Sequence, residues 1–283
     1  PINQRRWRNF KANRRGWWSL WIFLALFVCS LGAEFVANDK PLVVYFDGSL
    51  YFPVLRAYPE TTFGGEFPTE ADFRDPFVQD LIEADGWMVW PLIHFSYDTV
   101  NWLMSGPAPG PPSRANWLGT DDQARDVAAR LIYGFRISVI FGLALTLAST
   151  LVGVAAGAVQ GFYGGRIDIF GQRFIEIWQG LPVLFLLIIL TSFVQPNFWW
   201  LLGIMLLFSW MALVDVVRAE FLRGRNLDYV RAARTLGAGD LTIMIRHVLP
   251  NAMIATITFM PFILNGAITT LTSLDFLGFG LPP

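Results

Sequence analysis

Residues 134–161 read GFRISVIFGLALTLASTLVGVAAGAVQG, a run of 28 residues with a single charge, that of Arg136. An α-helix rises about 1.5 Å per residue, so about 20 such residues cross the roughly 30 Å apolar core of a bilayer. The run therefore predicts a membrane-spanning helix. Gly153 and Gly157 stand four residues apart within it, a spacing that lets a neighbouring helix approach closely.

Four further apolar runs have the same character, at residues 17–37, 170–194, 198–217 and 250–274. The first is longer than the apolar part of a usual secretory signal peptide and lacks a small-residue cleavage site, so we interpret it as an uncleaved span. Hydrophobic residues make up 54% of the chain and charged residues 15%, whereas a soluble domain carries about 25% charged residues. The sequence thus predicts an all-α polytopic membrane protein with five spans.

The composition excludes several functional classes. The formal net charge is −1, which does not fit a nucleic-acid binder that relies on bulk positive charge. The chain has one cysteine, Cys29, and two histidines, His94 and His247. These are too few for an intrachain disulfide framework or for a zinc site of the usual ligands. We therefore expect no metal site, no bound cofactor and no nucleic-acid partner.

The positive charges indicate the orientation, because Lys and Arg concentrate in cytoplasmic segments. If residues 1–16 are cytoplasmic, the inner segments hold 14 Lys and Arg residues and the outer segments hold six. The prediction is a cytoplasmic N-terminus, a periplasmic insertion at 38–133, a cytoplasmic loop at 218–249 and a periplasmic segment at 275–283.

The insertion at 38–133 is predicted to fold. It contains 14 aromatic residues between positions 41 and 102, whereas disordered segments are poor in aromatics. Residues 42–46 and 49–52 flank Asp47-Gly48, which favours a β-hairpin with a type I′ turn. The insertion is acidic, so paired catalytic carboxylates are one interpretation, but no Ser, His and Asp spacing supports hydrolysis. A small packed cap or docking surface is the favoured interpretation.

The predicted cytoplasmic loop contains the stretch DYVRAARTLGAGD at residues 228–240. Four apolar residues recur there at helical spacing and predict one stripe of a short helix. They are Tyr229, Ala232, Ala233 and Leu236. Arg231 and Arg234 fall outside the stripe.

A sharp bend is predicted to follow this helix. Gly237 fits the left-handed position that ends a helix, and Asp240 fits the N-cap of the next segment. Ala238 and Gly239 are the small residues between them, and the chain has no phosphate-binding pattern of the type G-x-x-x-x-G-K-[ST]. The residues alone leave two interpretations open: a surface on which another protein docks, and an ordinary loop between helices.

Two positions in the predicted spans are candidates for a transport path. Pro182 is expected to kink its span, and kinks occur both in helices that line pathways and in purely structural ones. Glu176 would be a costly charge inside a bilayer unless it is paired, and Arg173 stands three residues before it. Ion pairs of Arg173 with Glu176 and of Asp215 with Arg218 are favoured over contacts with a substrate.

The loop resembles the EAA loop of the permeases of ABC importers, whose pattern is E-A-A-x-x-x-G followed ten residues later by I-x-L-P. Five residues match at that spacing: Ala232, Ala233, Gly237, Leu249 and Pro250. Arg231 stands where the Glu is expected, and His247 where the Ile is expected. Similarity to the dipeptide and oligopeptide branch extends to 118–138, 161–165 and 274–280. The long aromatic insertion is similar to that of the Yej-type permeases for oligopeptides and the antibiotic microcin C.

The resemblance implies the ABC importer permease fold, with a sixth span beyond residue 283, in a multi-pass subunit of the bacterial inner membrane. It implies a second permease subunit, two cytoplasmic ATPase subunits or one fused ATPase, and a periplasmic peptide-binding protein. ATP and Mg²⁺ would bind to the ATPase partners, so this chain would not itself be an enzyme. The residues implied to couple to the ATPase are Tyr229, Arg231, Ala232, Ala233, Leu236, Gly237, Ala238, Gly239 and Asp240.

Two other functions are less well supported. A secondary transporter driven by an ion gradient would require buried carboxylates or broken helices in repeated halves, and the predicted spans hold few charges near their centres. A membrane-anchored scaffold that acts through its periplasmic segment would not need the loop at 228–251.

Overall fold

The computed structural model describes residues 2–102, 104, 106–194 and 197–281. The described chain is mostly helical and contains one small β-sheet. It divides into two compact units, one that runs to Ile137 and one that begins at Ser138.

The helices in chain order are α1 (Ile2–Ala12), α2 (Arg14–Leu31), α3 (Ala33–Val36), α4 (Pro76–Asp85), α5 (Val127–Tyr163), α6 (Gly165–Gln179), α7 (Val183–Phe193), α8 (Phe198–Ser209), α9 (Met211–Gly224), α10 (Asp228–Thr235), α11 (Asp240–Thr242) and α12 (Leu249–Phe276). The strands are β1 (Val43–Phe46), β2 (Ser49–Tyr51) and β3 (Gly86–Val89). A 3₁₀-helix covers Glu60–Phe63, and a π-helix covers Ile243–Val248 between α11 and α12.

Among the described residues, two helical stretches are long and apolar enough to cross a membrane without a sharp bend, Val127–Tyr163 and Asp240–Phe276. Two bent pairs pass the same test when each pair is taken as one span. They are α6 with the first part of α7, bent by 69°, and α8 with α9, bent by 42°. The described chain thus has up to four spans by length and composition.

The predicted span at 17–37 corresponds to α2 and α3 and is not among these candidates. The 18 residues of α2 begin with Arg14 and Arg15, and these two charges lower the mean hydropathy of the helix. The five-span count therefore stays a prediction.

Both predicted spans between 170 and 217 are interrupted. The expected kink at Pro182 is confirmed, since α6 ends at Gln179 and Pro182 caps the start of α7. The run at 198–217 was expected to be continuous, but it breaks at Trp210 between α8 and α9. Near that break the carbonyl oxygen of Leu207 accepts hydrogen bonds from the indole N–H groups of Trp178, at 3.1 Å, and Trp210, at 3.0 Å. Two indoles thus brace the bend.

The predicted hairpin of the insertion is confirmed. Strands β1 and β2 pair antiparallel, with Phe46 opposite Ser49. Asp47 and Gly48 have φ values of 45° and 74°, the positive values that a type I′ turn requires. A third strand, β3, pairs antiparallel with the other edge of β1 and was missing from the sequence prediction.

An aromatic core lies beside this sheet. Phe63 is fully buried and its ring contacts four other aromatic rings at centroid distances of 5.3–6.3 Å. Those rings belong to Phe46, Tyr51, Tyr58 and Phe73. Val78 and Ile82 of α4 are buried in the same cluster. The prediction that the aromatic insertion packs is confirmed.

The start of α5 lies seven residues before the predicted span at 134–161. Asp126, fully buried, accepts a hydrogen bond from the backbone N–H of Ala129 at 2.7 Å, and Asn116 donates to its other carboxylate oxygen at 2.8 Å. A carboxylate that caps the first free N–H groups stabilises a helix start. The helix therefore extends through the last part of the segment predicted as insertion.

In the second unit, α5 packs closely on α9 through glycines. A Cβ atom at Gly153, Gly157 or Gly161 would lie 2.5 Å, 2.8 Å and 2.5 Å from a backbone oxygen of Trp210, Val214 and Arg218, respectively. The close approach predicted from Gly153 and Gly157 is thus confirmed, and Gly161 extends it by one further turn.

Candidate coupling site

Helix α10 and its bend match the sequence prediction. The helix ends at Thr235, and Gly237 follows with a φ of +83°. The N–H of Gly237 donates to the carbonyl of Arg234 at 3.0 Å, and the N–H of Ala238 donates to that of Ala233 at 3.1 Å. These two bonds form a Schellman motif, which satisfies the carbonyls at the end of the helix. The left-handed glycine expected at Gly237 is therefore present.

The expected N-cap at Asp240 is wrong by one residue. Gly239 is the N-cap, because its carbonyl oxygen accepts the first helical bond, from Ile243 N–H at 3.0 Å. Asp240 is instead the first residue of α11. Its carboxylate accepts a hydrogen bond from the guanidinium of Arg234 at 3.4 Å, so an ion pair connects the two sides of the bend.

The structure shows which face of α10 is buried. Val230 and Ala233 face the protein, and Val230 is 1% exposed. Of the predicted apolar stripe, Ala233 alone is buried, whereas Tyr229 is 40% exposed and Leu236 is 87% exposed. Ala232 is exposed as well. Most of the predicted apolar stripe is therefore free to contact another surface.

The buried face of α10 is anchored to three longer helices. Val230 and Ala233 belong to one apolar cluster with side chains of α5, α9, the π-helix and α12. The cluster includes Phe162, Phe221, Val248 and Ala252. On the outer side of α10, the amide of Asn251 donates to the hydroxyl of Tyr229 at 3.1 Å. Helix α10 is therefore packed directly against the ends of these helices.

Several large apolar side chains on α10 and the segments beside it are exposed. We refer to them as the coupling surface: Leu227, Tyr229, Leu236, Leu241 and Ile245. Leu236 projects furthest into solvent, at the bend where Gly237 has open space around its Cα. Exposed apolar side chains grouped around one turn are a candidate for a protein–protein contact.

A polar clamp joins the helices behind the coupling surface. The guanidinium of Arg218 on α9 binds both carboxylate oxygens of Asp168 on α6, with Nη2 2.7 Å from Oδ2. The guanidinium of Arg225 donates to the carbonyl of Phe162, at the end of α5, at 3.1 Å. Gly164 beside it has a φ of +64°, a backbone conformation that favours glycine. The clamp connects α5, α6 and α9.

This clamp overturns one predicted ion pair. Arg218 was expected to pair with Asp215, three residues before it, but its guanidinium reaches across to α6 and binds Asp168 at two points. Bidentate geometry favours that partner over a neighbour on the same helix. Asp215 instead accepts a hydrogen bond from Gln172 at 3.2 Å. Sequence spacing within one helix gave no signal for a partner 50 residues away.

The two path candidates, Pro182 and Glu176, lie outside the coupling surface. Glu176 pairs with Arg173 at 2.5 Å, and both side chains are more than half exposed, which confirms the predicted ion pair. A cavity of about 380 Å³ lies between α5, α7, α8, α9 and α12, with Leu187, Met205 and Phe259 in its wall. Pro182 and Glu176 are not among its lining residues.

Among the described residues, no three His, Cys, Asp or Glu side chains lie close enough to hold a metal ion.

Comparison with known proteins places this arrangement in a family. Residues 149–283 match the family described as binding-protein-dependent transport system inner membrane component. Residues 3–51 match the N-terminal TM domain of oligopeptide transport permease C.

Similar proteins are known over the whole chain. The inner membrane ABC transporter permease protein YejE of Escherichia coli K12 is 61% identical over 282 residues, which cover 100% of this chain and 83% of that protein. The peptidoglycan transport system permease protein YejE of Agrobacterium fabrum is 57% identical over 307 residues, 100% of this chain and 80% of that protein. The oligopeptide transport system permease protein OppC of Bacillus subtilis is 35% identical over 188 residues, 66% of this chain and 61% of that protein. The chain therefore belongs to the family of inner membrane permeases of ABC transporters, in its dipeptide and oligopeptide branch.

Proposed function

We propose that this chain is a transmembrane permease subunit of an ATP-driven importer that moves oligopeptides from the periplasm to the cytoplasm. The observation that carries the proposal is the exposed, anchored turn at Leu236 and Gly237. It occurs in a chain with one relative named as an inner membrane ABC transporter permease and another named as an oligopeptide transport permease. One relative is named for peptidoglycan transport, so peptides derived from the cell wall belong to the proposed substrates. Microcin C, a peptide–nucleotide, is a further proposed substrate.

The proposed assembly contains a second permease subunit, cytoplasmic ATPase subunits and a periplasmic peptide-binding protein. ATP and Mg²⁺ bind to the ATPase subunits, and this chain supplies no catalytic group. Its N-terminus is cytoplasmic, the insertion at 38–133 is periplasmic, and the coupling surface faces the cytoplasm. The exposed, apolar side chains of this turn suit a groove on another protein.

The proposed mechanism is a rigid-body lever. Closure of the ATPase subunits moves the coupling surface, and Val230 and Ala233 carry this motion into the cluster around Phe162 and Phe221. The clamp of Asp168 with Arg218 holds α6 and α9 together during that motion. This motion shifts the spans between two packed states, one inward-facing and one outward-facing.

The test replaces single residues of the turn in the full complex. Leu236→Arg forces a charge into an apolar contact, and a buried charge without a partner costs about 3–5 kcal/mol. Gly237→Val places a β-branched residue at a φ of +83°, which such residues avoid. Each variant is expected to lose ATPase subunits during purification or to hydrolyse ATP without peptide uptake.

The matched control is Arg231→Ala, on the same helix but at the position where the family pattern has Glu. It is expected to be much milder than Leu236→Arg, because Arg231 is not one of the exposed apolar side chains and its replacement places no new charge in an apolar contact. The measurements are ATPase stoichiometry and peptide-stimulated ATP hydrolysis in reconstituted vesicles. Normal stoichiometry and normal coupling in both the Leu236 and Gly237 variants would refute the docking assignment.

We also propose that the insertion contacts the binding protein or the partner permease. The two ends of the segment from β1 to β3 meet, because Leu42 N–H donates to the carbonyl of Val89 at 2.7 Å. Replacing residues 43–89 with a short glycine-rich linker is expected to impair peptide uptake and to leave membrane insertion intact. Full transport with normal peptide affinity would show that the segment is dispensable.

A further inference from the structure

The N-terminal part of the chain has an unbalanced positive charge. Residues 1–33 contain six Lys and Arg residues and no Asp or Glu, since the first acidic residue is Glu34. Arg5, Arg8 and Lys11 of α1 are exposed, as are Arg14 and Arg15 at the start of α2. None of these five side chains takes part in the salt bridges of the described residues.

Aromatic rings hold α1 against the start of α2. Trp7 stacks on Phe10 at 5.8 Å, and the rings of Trp7 and Phe10 meet Trp17 edge-on at 5.8 Å and 6.1 Å. The ammonium of Lys11 lies 5.5 Å from the ring of Trp7 and 5.6 Å from that of Trp17. The side chain of Asn13 accepts a hydrogen bond from Gly16 N–H at 3.3 Å and caps α2. The position of α1 is therefore set by side-chain contacts.

The order of charged, aromatic and apolar side chains along α1 and α2 matches the headgroup, interface and acyl layers of a membrane. Exposed cations lie between Arg5 and Arg15, with Trp7, 50% exposed, among them, and Trp18, 63% exposed, follows. The apolar remainder of α2 follows, with Ile22 and Leu26 exposed. Indoles prefer the headgroup level of a bilayer, and basic helices with aromatic side chains lie in that interface.

We propose that α1, with Arg14 and Arg15, binds the headgroups of anionic phospholipids. The argument is charge complementarity: exposed cations without acidic partners stand beside indoles that prefer the headgroup level, and an anionic lipid supplies the missing negative charge there. This site is separate from the coupling surface and does not depend on the identity of the transported peptide.

The test follows the mobility of α1 in the full complex. Cys29 is replaced by Ser and a nitroxide label is attached through Asn9→Cys, an exposed position of α1. The complex is reconstituted in phosphatidylcholine alone or in phosphatidylcholine mixed with phosphatidylglycerol. The ratio of immobile to mobile label is expected to rise with phosphatidylglycerol and to fall again when salt is added, because salt screens the attraction.

The charge dependence is measured with a matched pair of double variants. Each basic residue near an anionic surface contributes about fivefold to binding, so Arg5→Gln with Arg8→Gln is expected to lower the immobile-to-mobile ratio about 25-fold. Arg56→Gln with Arg114→Gln removes the same charge from exposed sites of the insertion and is expected to leave the ratio unchanged.

Two results would overturn the proposal. One is an immobile-to-mobile ratio that is the same with and without phosphatidylglycerol. The other is full immobilisation in the lipid-free, detergent-solubilised complex, which would assign α1 to a protein partner.

Discussion

The insertion and the helices of the second unit are packed with different kinds of residue: large aromatic side chains in the insertion, and glycines between helices in the second unit. In the insertion, the fully buried Phe63 is surrounded by aromatic rings. On α5, Gly153, Gly157 and Gly161 remove side chains altogether, so that the backbone of α9 comes into contact. The difference follows from the solvent proposed for each region. In water, burying apolar area is favourable. In lipid, which is as apolar as the side chains, helix association depends instead on close packing of the backbones.

The largest expected effect is in the aromatic core. Phe63→Ala removes a fully buried ring, and such a loss costs about 3–5 kcal/mol. Hydrogen exchange of the β1 amides in the full complex should lose most of its protection. Phe67→Ala is the control, since Phe67 is 60% exposed. Unchanged protection in the Phe63 variant would mean that the core does not depend on this ring.

The next largest loss of stability is expected when a larger apolar side chain replaces a glycine at the contact between α5 and α9. Gly157→Val would bring a Cβ atom to 2.8 Å from the carbonyl oxygen of Val214 and 2.9 Å from Val217 Cβ. Overpacking of this kind costs about 1–3 kcal/mol and should lower the melting temperature of the purified complex. Gly134→Val lies on the same helix, with nothing within 4 Å of the added Cβ, and should be mild. Equal melting temperatures for the two variants would contradict close packing as the cause.

A smaller effect on stability is expected from the carboxylate of Asp121 in the insertion. Burial raises the pKa of the Asp121 carboxyl, but hydrogen bonds from Arg125, Arg130 and Gln123 outweigh it and hold the pKa below its usual 3.8. The stability this carboxylate contributes is therefore present above the unfolded pKa and is lost as the pH falls through the lower, folded pKa.

The matching variant is Asp121→Asn, which removes that contribution, about 1–2 kcal/mol for a hydrogen-bonded charge. It should lower the thermal stability of the insertion at about pH 6, and the difference from the unmodified chain should shrink towards about pH 3. Circular dichroism of aromatic bands at the two pH values measures it. A difference that persists undiminished in acid would contradict the lowered pKa.

The smallest effect concerns a hydroxyl pair between helices. Ser149 on α5 and Ser209 on α8 share a hydrogen bond, and such bonds between membrane helices average about 0.6 kcal/mol. A double-mutant cycle with Ser149→Ala and Ser209→Ala, followed by unfolding in lipid–detergent mixtures, should give a coupling energy of that order. A much larger value would place polar contacts on the same level as the glycine packing.

The sequence was most informative where the signal is local. The Asp47-Gly48 turn, the helix that ends before Gly237 and the break at Pro182 each depend on the backbone preferences of one or two residues, and all three are present. The close approach at Gly153 and Gly157 was also predictable, because two glycines four residues apart on an apolar helix leave room for a neighbouring helix.

The features that were missed depend on partners distant in sequence. Periodicity found the apolar stripe of α10 but gave no sign that Val230, outside that stripe, packs in the cluster with Phe162 and Phe221. Asp168 and Arg218 are 50 residues apart, and no spacing rule connects them. The early start of α5 required Asn116 beside Asp126, a contact made by a loop without regular structure.

The π-helix at Ile243–Val248, where the chain leaves α11 and enters α12, shifts the helical phase between these two helices. A π-turn contains one residue more than an α-turn, so α12 is out of phase with α11 by one position, about 100° of helical rotation. A deletion of one residue within this turn can be absorbed by conversion to an α-turn. The same deletion inside α12 would rotate every later side chain away from its neighbour. Length variation between related sequences should therefore collect at this turn and be absent from the helix that follows.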